Sequence, residues 1–154
     1  MKLLILSDSH GDLEYMRLAM TQERPDYVIH LGDHNTDADR LGRLYPQVPL
    51  VSVPGNCDFS FQEPEVRMVE YGGLRLLFTH GHRHGVNGSL LRLLLAAREN
   101  EVDAALFGHT HQPYCAQENG IWLINPGSCT YPDPTCAVVT IENKQLACTI
   151  RHLR

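Results

Sequence analysis

The chain has 154 residues, and 13 Lys and Arg against 18 Asp and Glu leave a formal charge of −5 with its nine His neutral. This length fits one domain and excludes a (β/α)₈ barrel, which takes about 250 residues. Apolar residues make up 43% and charged residues 20%, which is typical of a folded globular protein and excludes a chain that is disordered as a whole. We expect a single domain over residues 1–154.

Charge, cysteine content and the length of the apolar runs exclude several kinds of binding site and location. Lys and Arg form no cluster that could neutralise several phosphates, so we expect no stable nucleic-acid binding. The five cysteines are odd in number and lack the C-x-x-C spacing, which argues against a disulfide framework and a thiolate zinc site. Because the apolar runs are too short for a signal peptide or a bilayer span, we expect a cytoplasmic protein without membrane association.

The first part of the chain predicts alternating buried strands and helices. Continuous apolar runs predict the strands, and apolar residues at helical spacing predict the helices. In chain order they are a strand at 3–6, a helix at 12–23, a strand at 27–31, a helix at 37–45 and a strand at 50–53. This order predicts parallel strands with right-handed crossovers, so the polar loops after the strands should meet at one sheet edge.

The rest of the chain predicts hairpins, one helix and one further buried strand. The hairpin strands are 66–71 with 74–79, 114–117 with 121–124, and 137–141 with 146–152, and the helix and the strand are 90–99 and 103–107. Turn residues such as Gly72-Gly73 and Asn119-Gly120 separate the paired strands. We therefore expect an α/β fold with two sheets inside and helices outside.

Five polar clusters follow predicted strands. They are Asp8-Ser9-His10, Gly32-Asp33, Gly55-Asn56-Cys57-Asp58, His80-Gly81-His82 and Gly108-His109-Thr110-His111. Carboxylate and imidazole groups suit divalent Mn, Fe, Zn, Ni and Co ions, and a carboxamide oxygen can join them without adding charge. Each cluster alone is also typical of a turn, a helix cap or a buried histidine. Their shared position at strand ends predicts one common metal site.

In this order the clusters resemble the calcineurin-like metallophosphoesterases, specifically their small bacterial and archaeal phosphodiesterase branch, from Leu3 to about Ser128. The resemblance implies a four-layer αββα sandwich, with two mixed β-sheets flanked by helices and no cap domain. It also implies seven metal ligands: for a first ion Asp8, His10 and His111, for a second ion Asn56, His80 and His109, and as a bridge between them Asp33.

The resemblance implies a metal-dependent phosphodiesterase or phosphoesterase, in which a hydroxide that bridges two cations attacks a small phosphoester. We expect two divalent transition-metal ions, manganese first, with Fe, Zn, Ni or Co as alternatives. The expected catalytic residues are Asp33, Asn56 and His82, the last as a candidate acid for the leaving oxygen. A homo-oligomer is compatible with the sequence.

One cluster departs from the wider family, which often has G-N-H-[DE] where this chain has Cys57 after Asn56. The phosphodiesterase branch is itself similar in carrying Cys at this point. Because a thiol is a poor general acid, either His82 or His84 protonates the leaving oxygen or substrates with acidic leaving groups are preferred. We expect Asp58 to orient a ligand rather than to bind metal.

Two other functions stay open at this point. The same branch resembles a retromer coat subunit, so the alternative is a non-catalytic scaffold that uses this fold for protein contacts. The presence of His10 and Asp33 favours the enzyme, because their loss would remove the metal site. A phosphoprotein phosphatase is a third alternative, but such enzymes resemble longer chains with His after Gly-Asn.

Overall fold

The computed structural model describes residues 1–59 and 63–154, and this part of the chain contains ten strands and three α-helices. In chain order they are β1 Lys2–Leu6, α1 Leu13–Glu23, β2 Tyr27–His30, α2 Asn35–Leu44, β3 Leu50–Ser52, β4 Val66–Tyr71, β5 Leu74–Thr79, α3 Leu91–Glu99, β6 Ala104–Leu106, β7 Tyr114–Glu118, β8 Ile121–Asn125, β9 Thr135–Glu142 and β10 Gln145–His152. A short 3₁₀ helix at His82–His84, which the sequence pattern did not predict, lies between β5 and α3.

The strands form two mixed sheets of five strands each. The first sheet has the order β10-β9-β1-β2-β3, and the second has the order β4-β5-β6-β8-β7. In the first sheet β1, β2 and β3 are parallel, while β9 pairs antiparallel with β1 and with β10. In the second sheet β5, β6 and β8 are parallel, with antiparallel β4 and β7 at the edges. The predicted parallel strands and the three predicted hairpins are therefore confirmed.

Three apolar clusters show how the layers stack. The largest lies between the sheets and contains Ile5 and Leu106, one from each sheet. A second cluster packs α1 against the outer face of the first sheet and includes Leu4 and Met16. A third packs α3 against the outer face of the second sheet and includes Leu93. This arrangement is the predicted αββα sandwich, and it explains why β1, covered on both faces, is a continuous apolar run.

The start of α2 differs from the prediction. The helix begins at Asn35 rather than at Asp37. Its N-cap residue, His34, makes no side-chain capping bond, but Asp58 Oδ1 accepts the Asn35 N–H at 2.9 Å. The cap therefore comes from the loop after β3, and a local sequence pattern cannot show a cap that is formed by tertiary contact.

The parallel strands of both sheets direct their polar loops to one end of the sandwich. The loop after β1 contacts the loop after β6, since the His109 N–H donates to Asp8 Oδ2 at 3.1 Å. The Gly108 N–H likewise donates to the carbonyl of His80, which follows β5.

Across residues 1–59 and 63–154, none of the helices has the length and apolar character needed to cross a bilayer.

Candidate metal centre

The centre of the site is the carboxylate of Asp8, which three imidazoles approach from different loops. Asp8 Oδ1 lies 3.2 Å from His111 Nε2, 3.8 Å from His80 Nε2 and 4.0 Å from His10 Nε2. Asp33 comes from the end of β2, and its Oδ2 lies 3.5 Å from His80 Nε2. The side chains of Asp8 and His80 are fully buried. The structure thus brings together ligands predicted from four separate loops.

A second group of donors meets on the other side of His80. His109 Nδ1 lies 3.0 Å from Asn56 Oδ1 and 3.2 Å from His80 Nε2. His109 Nδ1 and His80 Nε2 can share at most one proton at this separation. When that proton is absent, each nitrogen offers a lone pair to a cation. All seven predicted ligands therefore belong to one contiguous cluster.

The donors fit a divalent transition metal. Asp8 Oδ1 is buried and has no hydrogen-bond partner among the residues that the structure describes, which is costly unless a cation or another group occupies the space beside it. Two three-residue groups have ligand atoms within 4.8 Å of one another: Asp8 with His10 and His111, and Asp8 with Asp33 and His80. This mixture of imidazole and carboxylate donors suits Mn, Fe or Zn. Asp8 takes part in both groups, and the ligand atom of Asp33 lies within 4.8 Å of those of Asp8 and His80.

The ionisation of the cluster follows from its contacts. Burial by itself would raise the pKa of Asp8, but the adjacent imidazole of His111 and the charge of His80 outweigh it and lower that pKa. The adjacent carboxylate of Asp8 raises the pKa of His111, whereas burial lowers the pKa of His109. A proton on His111 must leave before this nitrogen can bind a metal, so proton and metal compete for the site.

The backbone of these loops is strained. Five predicted ligands have positive φ angles in the left-handed region: Asp8 at 53°, His10 at 49°, Asp33 at 59°, His109 at 69° and His111 at 62°. Such angles are uncommon outside glycine and are kept where the surrounding structure enforces them, often at functional sites. Here they turn side chains that follow three strands, β1, β2 and β6, toward one point.

Two glycines allow the loops to approach closely. A Cβ on Gly55 would collide with the carboxylate of Asp33, and a Cβ on Gly108 would collide with the Ser7 hydroxyl and lie 2.9 Å from Asp8 Oδ2. Gly55 and Gly108 do not have positive φ angles, so backbone conformation is not the reason for glycine at these positions. They are required because backbone and carboxylate occupy the space that a side chain would take.

A buried chain of hydrogen bonds holds the loop between Asp8 and His10. The Gly32 N–H donates to His30 Nδ1 at 3.2 Å, so His30 carries its proton on Nε2 and donates to Ser9 Oγ at 3.0 Å. The Ser9 hydroxyl in turn donates to Asp37 Oδ2 at 2.7 Å. Burial lowers the pKa of His30 to about 4. The imidazole is therefore neutral at neutral pH, and its Nδ1 can accept the Gly32 N–H.

Further contacts orient individual ligands. His80 Nδ1 lies 2.7 Å from the carbonyl of Leu31, which can only accept a hydrogen bond. Nδ1 therefore carries a proton, and Nε2, which faces the site, is the nitrogen that can bind a metal. Asp58 accepts the backbone N–H groups of Asn35 and Gly55, so it connects two loops of the site. The Asn87 carboxamide lies 2.9 Å from His109 Nε2. Asn87 was not predicted to belong to the site, because Asn87-Gly88 is an ordinary turn pattern.

The candidate acids lie beside the cluster. The His82 ring is half-buried, with its centroid 5.5 Å from that of His80 and 6.2 Å from that of His109, and burial lowers its pKa. His84 is also half-buried, and burial lowers its pKa. The Cys57 N–H donates to Asp33 Oδ1 at 2.9 Å, while burial and then the charge of Asp33 raise the pKa of its thiol.

Residues 1–144 match the calcineurin-like phosphoesterase superfamily domain. Probable metallophosphoesterase YsnB of Bacillus subtilis is 35% identical to this chain, and the alignment covers 98% of the chain and 89% of YsnB. Phosphodiesterase YfcE of Escherichia coli K12 is 30% identical, with 86% of this chain and 81% of YfcE covered.

Solved structures share the fold. A predicted phosphoesterase from Streptococcus pneumoniae TIGR4 superposes with a TM-score of 0.83 at 29% identity, covering 98% of this chain and 88% of that chain. Vps29 of Chaetomium thermophilum superposes with a TM-score of 0.81 at 21% identity, covering 99% and 89%. At that identity the likeness to Vps29 concerns the fold alone.

Proposed function

This chain belongs to the calcineurin-like phosphoesterase superfamily, and from this we propose that it is a phosphodiesterase that uses two divalent transition-metal ions to hydrolyse a small phosphoester. One observation carries the proposal. The buried and unpartnered Asp8 Oδ1 lies within 4.0 Å of three imidazole nitrogens, among the residues that the structure describes. Such an arrangement of donors is unfavourable unless a cation joins them.

The contacts support a division of the ligands between two ions. Asp8, His10 and His111 would hold the first ion, and Asn56, His80 and His109 would hold the second. Asp33 would bridge them, since its ligand atom lies within 4.8 Å of those of Asp8 and His80. Manganese is our first candidate, and Fe, Zn, Ni and Co suit the same donors.

When bound, two divalent cations would supply a nucleophilic hydroxide at neutral pH and offset the charge of the phosphate oxygens. The protein holds the ligands in place through contacts such as the Cys57 N–H on Asp33 Oδ1. In hydrolysis a bond forms between the attacking oxygen and phosphorus, the ester P–O bond breaks, and the leaving oxygen gains a proton. His82 is the side chain proposed to face that oxygen, but its lowered pKa leaves the imidazole largely unprotonated at neutral pH, so little of it carries the proton that an acid must give.

The alternative is a scaffold without activity. The likeness to Vps29 is compatible with it, because a shared fold does not require a shared activity. The ligand set favours the enzyme: none of the seven donor positions has been lost from this sequence. A chain selected only for protein contacts would have no need to keep a buried carboxylate oxygen without a hydrogen-bond partner, as Asp8 Oδ1 is among the described residues.

The test is a metal-reconstituted assay with bis(p-nitrophenyl) phosphate. We expect uptake of up to two Mn²⁺ per chain and hydrolysis that a chelator abolishes. Asp33→Asn should lower activity more than substitution of any other proposed ligand, because only Asp33 would bind both ions. The matched control is Asp103→Asn, an exposed position at the opposite end of the second sheet. Absence of both metal uptake and hydrolysis would favour the scaffold.

We further propose a cytoplasmic location and a small phosphoester as the substrate. All five cysteines, each in the described chain, are free thiols, which supports a reducing compartment such as the cytoplasm. The net charge of −5 supports a small substrate rather than stable binding to nucleic acid.

A further inference from the structure

We propose that the substrate is a diester of one phosphate, whose two ester arms carry no further phosphate and lie in separate clefts, each against an exposed aromatic ring. This inference rests on the proposed function and extends it to a substrate class. The observations are the two clefts beside the metal centre, the rings exposed in them and the charges that line them.

The first cleft, named here the Phe59 cleft, has a volume of about 430 Å³ and is lined by His34, Cys57, Asp58 and Phe59 among others. It reaches the metal centre through Cys57, whose N–H donates to Asp33 Oδ1 at 2.9 Å. A group that extends from a phosphate on the cations past Cys57 therefore enters this cleft.

The second cleft, named here the Tyr131 cleft, has a volume of about 410 Å³. Two predicted metal ligands, His10 and His111, form part of its wall together with Ser128 and Tyr131. The metal centre thus borders a cleft on the Asp33 side and another on the His10 side. A phosphate monoester has one arm and would leave one cleft empty, whereas a diester has an arm for each.

Each cleft contains an unusually exposed aromatic ring. Phe59 is 92% exposed and Tyr131 is 77% exposed, while the other exposed large apolar residues in the described chain lie between 40% and 59%. Neither ring contributes to the three apolar clusters that hold the sandwich together. The two most exposed apolar side chains of the described chain therefore both lie beside the metal centre, with ring faces free to stack on a planar group.

The charges exclude additional phosphates on the arms. In the part of the chain that the structure describes, neither cleft is lined by Lys or Arg. The Phe59 cleft instead carries the carboxylates of Asp39, Asp58 and Glu63, and the Tyr131 cleft carries that of Asp133. A second phosphate in either cleft would be repelled by these carboxylates, with no Lys or Arg in the cleft to balance its charge. The cations of the metal centre would therefore bind only one phosphate of the substrate.

The first experiment compares Phe59→Leu and Tyr131→Leu with wild type, all loaded with Mn²⁺, on two substrates. For bis(p-nitrophenyl) phosphate, which has two aryl arms, we expect KM to rise about fivefold or more in each variant with kcat little changed, because stacking contributes to binding of the ring. Methyl p-nitrophenyl phosphate has one aryl arm, and its KM should rise in one variant only. Leu91→Ala, an exposed apolar position in neither cleft, is the matched control.

The second experiment tests the charge of the arms with thymidine 5′-(p-nitrophenyl phosphate), with and without a 3′-phosphate. We expect the 3′-phosphate to lower kcat/KM at least tenfold. Unchanged KM values in both variants, or equal use of the two thymidine esters by wild type, would overturn this inference alone. A wild type that binds metal but hydrolyses no diester would overturn the proposed function, and this inference with it.

Discussion

Several side chains of the metal centre owe their protonation state to one neighbour each. The Leu31 carbonyl selects the His80 tautomer, and the Gly32 N–H does the same for His30. These choices depend on hydrogen-bond direction, because a carbonyl can only accept and an N–H can only donate. His30 is the residue for which this has a measurable consequence for stability.

His30 should make the protein less stable as the pH falls. Its pKa is about 4 in the folded chain against 6.5 when exposed, so between these values the unfolded chain binds a proton that the folded chain does not. The free energy of unfolding should therefore decrease as pH falls from 6.5 to 4, by on the order of 3 kcal/mol in total. Urea unfolding in the presence of a chelator, at several pH values, measures this slope.

The comparison for this prediction is His30→Gln, which keeps an amide of similar length but does not titrate. Its slope of unfolding free energy against pH should be shallower than that of wild type by about one proton within the same window. Identical slopes would show that His30 is protonated in the folded chain, or that it does not change its environment on unfolding.

Cys57 predicts a preference for acidic leaving groups. Its thiol has a raised pKa and gives little help in protonating a leaving oxygen, so wild type should cleave aryl diesters far faster than alkyl diesters. Cys57→His places an imidazole beside the site and should raise the rate for alkyl diesters, by up to about 10²-fold, with less effect on nitrophenyl esters. Rates over a series of leaving groups check this.

Cys57→Ser is the control, because it keeps the size of the side chain without adding an acid that titrates near neutral pH. Its preference among leaving groups should match that of wild type. If wild type already cleaves alkyl and aryl diesters at similar rates, another acid such as His82 is in place and the prediction for Cys57 is wrong.

The elements that position the site are the loops that follow the parallel strands, and these loops pack closely against one another. The backbone at Gly55 contacts the Asp33 carboxylate so closely that no Cβ fits. Asp58 ties the same loop to the start of α2 through its bonds to Asn35 and Gly55. A small displacement of one loop therefore shifts ligands that belong to another.

Gly55→Ala should disrupt the metal centre. The added methyl group would push against the Asp33 carboxylate and backbone, so we expect affinity for Mn²⁺ to fall at least tenfold and stability to fall by about 1–3 kcal/mol. Isothermal titration with Mn²⁺ and thermal unfolding of the metal-free protein measure the two effects separately.

Gly42→Ala is the matched control, since this glycine lies within α2 and an added Cβ there meets nothing within 4 Å. Alanine is the better helix former, so this variant should be as stable as wild type or more stable by about 0.5–1 kcal/mol, with unchanged metal affinity. Equal behaviour of the two variants would contradict the role assigned to Gly55.

At the scale of the whole molecule, the metal centre joins the two sheets. Asp8, His10, Asp33 and Asn56 follow strands of the first sheet, whereas His80, His109 and His111 follow strands of the second. The apolar cluster between the sheets holds them together over most of their area. At the site end, cations bound by ligands from both sheets would add a further link.

Metal binding should consequently raise the melting temperature. A ligand at 100 times its Kd stabilises the folded state by about 2.7 kcal/mol, which for a chain of this length corresponds to roughly 5–10 °C. Differential scanning calorimetry with saturating Mn²⁺ and with chelator should show this difference. In Asp33→Asn the difference should shrink, and an equal shift in wild type and variant would contradict the bridging position of Asp33.

Local sequence patterns were sufficient to predict the strands, the α-helices and the residues that could bind metal, but not the 3₁₀ helix at His82–His84. The apolar run of β1 and the turn at Gly72-Gly73 are local patterns, and burial periodicity is sufficient to interpret them. The candidate ligands were recognisable because parallel strands deliver their end loops to a common edge. Element bounds such as the start of α2 were less certain, since Asp58 lies outside the helix that it caps.

The way in which the ligands meet depends on contacts between segments that are far apart in the sequence. The His109 N–H reaches Asp8 across 101 positions of sequence, and Asn87 reaches His109 across 22, and no local pattern records such pairs. The same holds for the bonds from His30 through Ser9 to Asp37, which cross three elements. Local propensity acts over a few residues, whereas hydrogen-bond direction, tautomer and loop strain are set by neighbours that only the folded chain supplies.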